Sequence, residues 1–160
     1  MLLNRKKLIA YLAVLVFVLV GTLMPSHLSF TMTPSLKYRL FWLNNYSAKN
    51  SIGKGDYVMF EFSTKYINNG QSIKAIKEVV CIPGDNLNVD NKKNYYCNGH
   101  YIGTAKDTSL TGVKVDNFRY TGTVPEGSYF VMGHIKDSFD SKYYGFIQRS
   151  RIEKIAYPIL

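Results

Sequence analysis

A chain of 160 residues makes one ordinary domain at most once any membrane segment is set aside. With 46% hydrophobic and 14% aromatic residues, 13 of them Tyr, it is too apolar to be disordered. The formal net charge of +9 comes from scattered Lys and Arg with no recognisable nucleic-acid motif. We therefore expect no nucleic-acid partner and attribute the charge to attraction for anionic membrane lipid.

Arg5, Lys6 and Lys7 precede an uncharged apolar run of about 17 residues, Leu8 to Met24, at the short end of what spans a bilayer as a helix. A cleaved secretory signal would begin in the same way. Against it, the run is longer than a usual signal core and no clear small-x-small cleavage site follows. The expectation is an uncleaved, single-pass anchor: residues 1–7 cytoplasmic, 8–24 in the membrane, 25–160 on the far side. In a bacterium this means the inner (plasma) membrane, with the folded domain facing the periplasm.

The remainder predicts a mainly β, antiparallel domain. Leu28 to Met32 alternates as a short strand stopped by Pro34. Met24 and Ser35 are 11 residues apart, at most about 36 Å even when extended. Ser35 therefore works near the membrane surface. Tyr57 to Phe62 follows the turn signal Gly53-Lys54-Gly55-Asp56, and Ile73 to Ile82 is closed by Pro83-Gly84-Asp85. Tyr95-Tyr96-Cys97 and His100-Tyr101-Ile102 flank Asn98-Gly99, a strong hairpin signal. Pro125-Glu126-Gly127 leads into a strand from Ser128 to Met132, and no convincing amphipathic helix appears outside the anchor.

Cys81 and Cys97 fall in the extracytoplasmic part, where a disulfide is allowed and is expected. Their spacing fits no zinc pattern, and His27, His100 and His134 are dispersed. We expect neither a metal nor a cofactor.

With so few histidines and none in a motif, a Ser-His-Asp triad has no support. A serine can instead be activated by an unprotonated lysine, whose pKa must be lowered by apolar burial. Period-two alternation puts Ile73, Ala75, Lys77, Val79 and Cys81 on one face, with Lys77 its only charge. Two readings stand: a desolvated base, or an edge lysine whose stem covers surface while its amine meets water. Ser35 is equally double-sided, since Thr-Pro-Ser is a common turn sequence. Thr33 two positions earlier and the enforced closeness to the membrane favour a chemical role.

Three segments, in order, resemble the type I signal peptidases. Thr33-Pro34-Ser35-Leu36 is similar to the serine box, and Ile76-Lys77-Glu78-Val79-Val80-Cys81-Ile82-Pro83-Gly84-Asp85 to the lysine box. Gly133 to Gly145, GHIKDSFDSKYYG, is similar to the last box. Within the family, the Thr-Pro-Ser-Leu start, Phe41-Trp42 and Ser138-Phe139-Asp140-Ser141 resemble the TraF-like peptidases of conjugative transfer, which mature pilin subunits. The resemblance implies a Ser35 nucleophile, a Lys77 general base, and an oxyanion hole from the Ser35 N–H and the Thr33 hydroxyl. It further implies that Ser138 orients the lysine amine and that Asp140 and Lys142 pair to brace the last box. A loop ST-turn at Ser138 and a surface carboxylate at Asp140 are the plain alternatives. Four departures stand out: His134-Ile135 replaces the usual Asp-Asn, the last box is one residue short, Glu78 stands where many relatives carry Arg, and Leu36-Lys37-Tyr38 follows Ser35 where the TraF-like pattern often has Pro and Gly.

The implied function is a membrane-anchored endopeptidase that removes signal or leader peptides from exported precursors, prepilin among the candidates. The alternatives are a general secretory signal peptidase and an inactive, tethered β-domain of a secretion machine.

Overall fold

The computed structural model of the chain describes residues 5–23, 27–47 and 51–160. It is mainly β and antiparallel. A seven-stranded sheet carries the order β1-β2-β11-β3-β4-β9-β10. Its strands are β1 (Leu28–Phe30), β2 (Leu40–Asn45), β3 (Tyr57–Phe62), β4 (Ile73–Cys81), β9 (Ser128–Met132), β10 (Ile147–Gln148) and β11 (Ile152–Pro158). A second sheet of four strands has the order β7-β6-β5-β8. It consists of β5 (Asn86–Val89), β6 (Asn94–Cys97), β7 (His100–Thr104) and β8 (Gly122–Thr123).

Local turn chemistry sets much of this. Asn98 and Gly99 both have positive φ, 49° and 79°, as a two-residue hairpin turn between β6 and β7 requires. Pro83-Gly84 makes the turn after β4: Gly84 has φ 87°, and Asp85 N–H donates to Ile82 O at 3.1 Å. The Asp85 carboxylate accepts from the Ile82 N–H at 2.8 Å and from Asn98 Nδ2 at 2.7 Å, tying this turn to the hairpin. A disulfide between Cys81 and Cys97, with Cα atoms 6.0 Å apart, joins β4 to β6 and so one sheet to the other.

Both faces of β4 are covered. Val58, Phe60, Val79 and Val131 pack on one side, with Ile73 and Ala75 against them. On the other side Ile76 packs with Leu36, Phe41, Tyr57 and Met59. Lys77 is paired in register with Val58, so it lies on the first face, in the alternation the sequence predicts. Lys74 and Glu78, on the opposite face, both find partners: Lys74 Nζ is 2.6 Å from Glu153 Oε2, and Glu78 meets His134.

Outside this β structure there are two α-helices among the described residues. α2 (Ser141–Tyr144) is a single turn, capped by Asp140. α1 (Arg5–Leu23) occupies the segment read as the anchor. Met24, where the predicted run ends, lies outside the described residues. Among the described residues no helix is long and apolar enough to cross a membrane. The 19 residues of α1 span about 28 Å at 1.5 Å each, and the first three are basic, so its apolar part falls short of about 30 Å of hydrocarbon.

Candidate active site

The segment between β1 and β2 carries Ser35. Thr31 N–H donates to Arg39 O at 2.9 Å, closing the segment into a loop. Leu36, only 5% exposed, plugs the loop into the core beside Phe41 and Ile76. This plug holds its neighbour Ser35, 9% exposed, against the wall of a cleft, while Thr33 and Pro34 stay exposed.

The cleft has a volume of about 570 Å³. Thr33, Ser35, Lys77 and Ser138 line it, and Phe62, Ile73 and Phe139 supply apolar wall. Lys77 is 5% exposed, and its Nζ donates to Ser138 Oγ at 2.8 Å. Burial lowers its pKa from 10.5 to about 8; Asp140 opposes that fall and Lys142 adds to it. Lys77 is therefore not an edge lysine with its amine in water, and its burial favours the neutral amine that a base would need.

The loop after β9 couples the two halves of the site. A Cβ on Gly133 would fall 2.1 Å from Ser138 Oγ and 2.6 Å from Ser35 O, so only glycine lets this loop reach both the Ser35 segment and the lysine's partner. Gly133 N–H donates to Asp140 Oδ2 at 3.2 Å. Asp140, fully buried, also accepts from Lys142 N at 3.1 Å and pairs with Lys142 Nζ at 2.7 Å. Ser141 Oγ accepts from Val131 N–H at 2.9 Å and pins the turn to β9. Asp140 is thus not a surface carboxylate, and Ser138, 2% exposed, is not a loop hydroxyl facing water.

The structure brings Ser35, Thr33, Lys77 and Ser138 to one cleft and sets Asp140 and Lys142 behind them. Cys81 and Cys97 lie apart from the cleft, at the junction of the sheets. Together with Asp85 they form the one cluster of potential metal ligands among the described residues, but both sulfurs are committed to the disulfide. His27 stacks on Trp42, and His100 lies exposed at the start of β7. The sequence holds no spacing or motif that foretells the His134–Glu78 contact or Tyr57 beside it. Its only signal was that both residues depart from the pattern of the boxes.

A sequence model described as signal peptidase, peptidase S26, matches residues 3–157. The chain belongs to the signal peptidase S26 family. It is a serine-type hydrolase of peptide bonds. No curated protein matches the chain. In this peptidase the histidine nearest Ser35 has no nitrogen to spare for a triad: His134 Nδ1 accepts from Lys37 N–H at 2.8 Å, and Nε2 faces Glu78.

Proposed function

We propose that the peptidase cleaves signal or leader peptides by a Ser35–Lys77 dyad. The observation that carries this reading is the buried Lys77 amine, held 2.8 Å from Ser138 Oγ and opening on the cleft that Ser35 lines. Neutral Lys77 takes the Ser35 hydroxyl proton as Oγ bonds to the scissile carbonyl carbon. The resulting oxyanion receives hydrogen bonds from the Ser35 N–H and the Thr33 hydroxyl. As the C–N bond breaks, Lys77 passes its proton to the leaving amine. Water then attacks the acyl-enzyme, giving its proton to Lys77, which returns it to Ser35 Oγ. Ser138 keeps the amine aimed, and the Asp140–Lys142 pair holds Gly133 and the turn behind it. The substrate lies extended along the cleft as an added strand, with small side chains in shallow pockets.

The protein works at a membrane. Side chains along α1 from Leu8 to Leu19 are exposed on all sides, and a helix that is apolar all round is stable only in lipid or inside protein. A span this short is matched by local thinning of the bilayer and by snorkelling of Arg5, Lys6 and Lys7. The same basic residues keep the N-terminus cytoplasmic and the catalytic domain on the periplasmic side. Resemblance to the TraF-like peptidases supports prepilin as the substrate. General secretory precursors are the alternative.

Co-expression with a prepilin and with a general secretory precursor tests both levels, read by mass spectrometry. Ser35→Ala should leave its precursor uncleaved while still folding and inserting, and cleavage by that variant would sink the dyad. Equal processing of both precursors by the parent would sink the dedicated role. A reporter fused after Leu160 that worked only in the cytoplasm would overturn the orientation.

A further inference from the structure

Two departures of this sequence from the usual boxes, His134 and Glu78, are 56 positions apart and meet in the fold. His134 Nε2 contacts Glu78 Oε2. Tyr57 Oη stands over the pair, 3.4 Å from His134 Nε2 and 3.5 Å from Glu78 Oε2. The other ring nitrogen, Nδ1, receives the Lys37 backbone N–H at 2.8 Å. Only an unprotonated ring nitrogen can accept a hydrogen bond, so the ring proton sits on Nε2 and is donated to Glu78. The backbone N–H of His134 donates in turn to Ser35 O at 2.8 Å. One residue therefore grips the nucleophile segment twice, at Ser35 and at Lys37, and Glu78 and Tyr57 fix the tautomer that makes the second grip possible.

We propose that His134 is the positioning residue for the nucleophile, oriented through its Nε2–H by Glu78 and Tyr57. The proposal rests on Ser35 being the nucleophile. His134 is not a base in this scheme and transfers no proton. It holds the Ser35 backbone against Gly133, the point from which Ser138 also reaches Lys77. The groups facing the ring are Glu78 from β4, Tyr57 from β3 and the backbone of Lys37. The Lys37 ammonium is turned away over the Tyr38 ring, 5.4 Å from its centroid. A mechanism that needs no histidine for proton transfer thus still depends on one for geometry.

The test is a charge-reversal cycle on the full chain in detergent micelles, with a fluorogenic peptide carrying an Ala-x-Ala cleavage sequence. His134→Ala removes the acceptor for Lys37 N–H. It should lower kcat about tenfold or more with KM nearly unchanged, because the grip acts on Ser35 and not on the substrate. His134→Asp sets two carboxylates together, and Glu78→Arg presents a donor to the donating Nε2–H. Each alone should lose about tenfold or more. The double variant restores an acceptor for Lys37 and an opposite charge beside it, and should recover to within roughly threefold of the parent. A parental kcat for His134→Ala, or a double variant no better than the worse single one, overturns the proposal. If His134→Ala fails to fold, the charge-reversal cycle decides alone. Ser35→Ala in the same assay separates the two levels. If it is inactive while His134→Ala is unimpaired, only the positioning role falls; if it is active, the dyad falls and the proposal with it.

Discussion

Two lysines are buried against the same loop, and they meet opposite kinds of partner. Lys142 is 2% exposed and Lys77 is 5% exposed, so burial alone does not separate them. Lys142 Nζ has the Asp140 carboxylate at 2.7 Å, and the same carboxylate also accepts from the N–H groups of Lys142 and Gly133. Lys77 Nζ has a hydroxyl, Ser138 Oγ, at 2.8 Å. A carboxylate in contact offsets the desolvation of a buried ammonium. A hydroxyl can donate or accept, so it serves either protonation state and leaves desolvation free to lower the pKa. What a buried lysine touches decides how far its desolvation is offset.

The largest effect should come from replacing the Lys77 amine with a cation that cannot be neutralised. Lys77→Arg keeps a cation of similar reach that stays protonated in proteins. Turnover should fall by about 10⁴-fold or more, the scale seen when a member of a nucleophile–base unit is removed. In the parent, kcat/KM should rise with pH and level off above about 8, where Lys77 becomes neutral, falling tenfold per pH unit below it. A flat profile from pH 6 to 9 would mean that another group takes the proton.

Stripping Lys142 of its partner comes next. Asp140→Ala leaves a buried cation unpaired and should cost roughly 3–5 kcal/mol of stability, measured by denaturant unfolding. Asp140→Asn combined with Lys142→Met should recover most of it. Asp140 also opposes the fall in the Lys77 pKa, so in whatever folded Asp140→Ala survives, the activity limb should move to lower pH. A limb displaced upward would contradict the electrostatic account.

The smallest effect is a gain. Lys77 has a folded pKa of about 8 against an ordinary 10.5, so between those values the unfolded chain binds more protons and stability rises with pH. Below about pH 8 the full cost of the buried amine is present, roughly 3 kcal/mol at about 1.4 kcal/mol per pH unit. Lys77→Met removes that cost but strands the Ser138 hydroxyl, a loss of about 1 kcal/mol. The inactive variant should therefore be more stable than the parent by about 2 kcal/mol at pH 7, with the advantage shrinking as pH approaches 10.5. A less stable Lys77→Met would show that the amine contributes to the fold.

Local rules made β3, β4, β9 and the Asn98-Gly99 hairpin legible, because alternation and turn residues act over a few positions. They also placed Lys77 on the apolar face of β4. They did not reveal β2 or β11. Leu40 to Asn45 and Ile152 to Pro158 offer no clean alternation, and β11 is a strand because it inserts between β2 and β3, while β2 pairs with β1 on its other side. Short periodicity holds no information on such long-range pairing.

The same division runs through the site. By itself, the sequence determined the family and the order of the serine, lysine and last boxes, because these are covalent facts read along the chain. It also determined where the chain must turn, at Pro83-Gly84 and Asn98-Gly99, because those residues alone suit the backbone angles found there. Only the tertiary structure decided what each side chain touches. It buried Lys77 without a carboxylate in contact, gave Lys142 the carboxylate at 2.7 Å, and set His134 against Glu78. Desolvation and Coulomb interactions depend on distance in space, and residues 56 or 61 positions apart become neighbours only when the sheet closes.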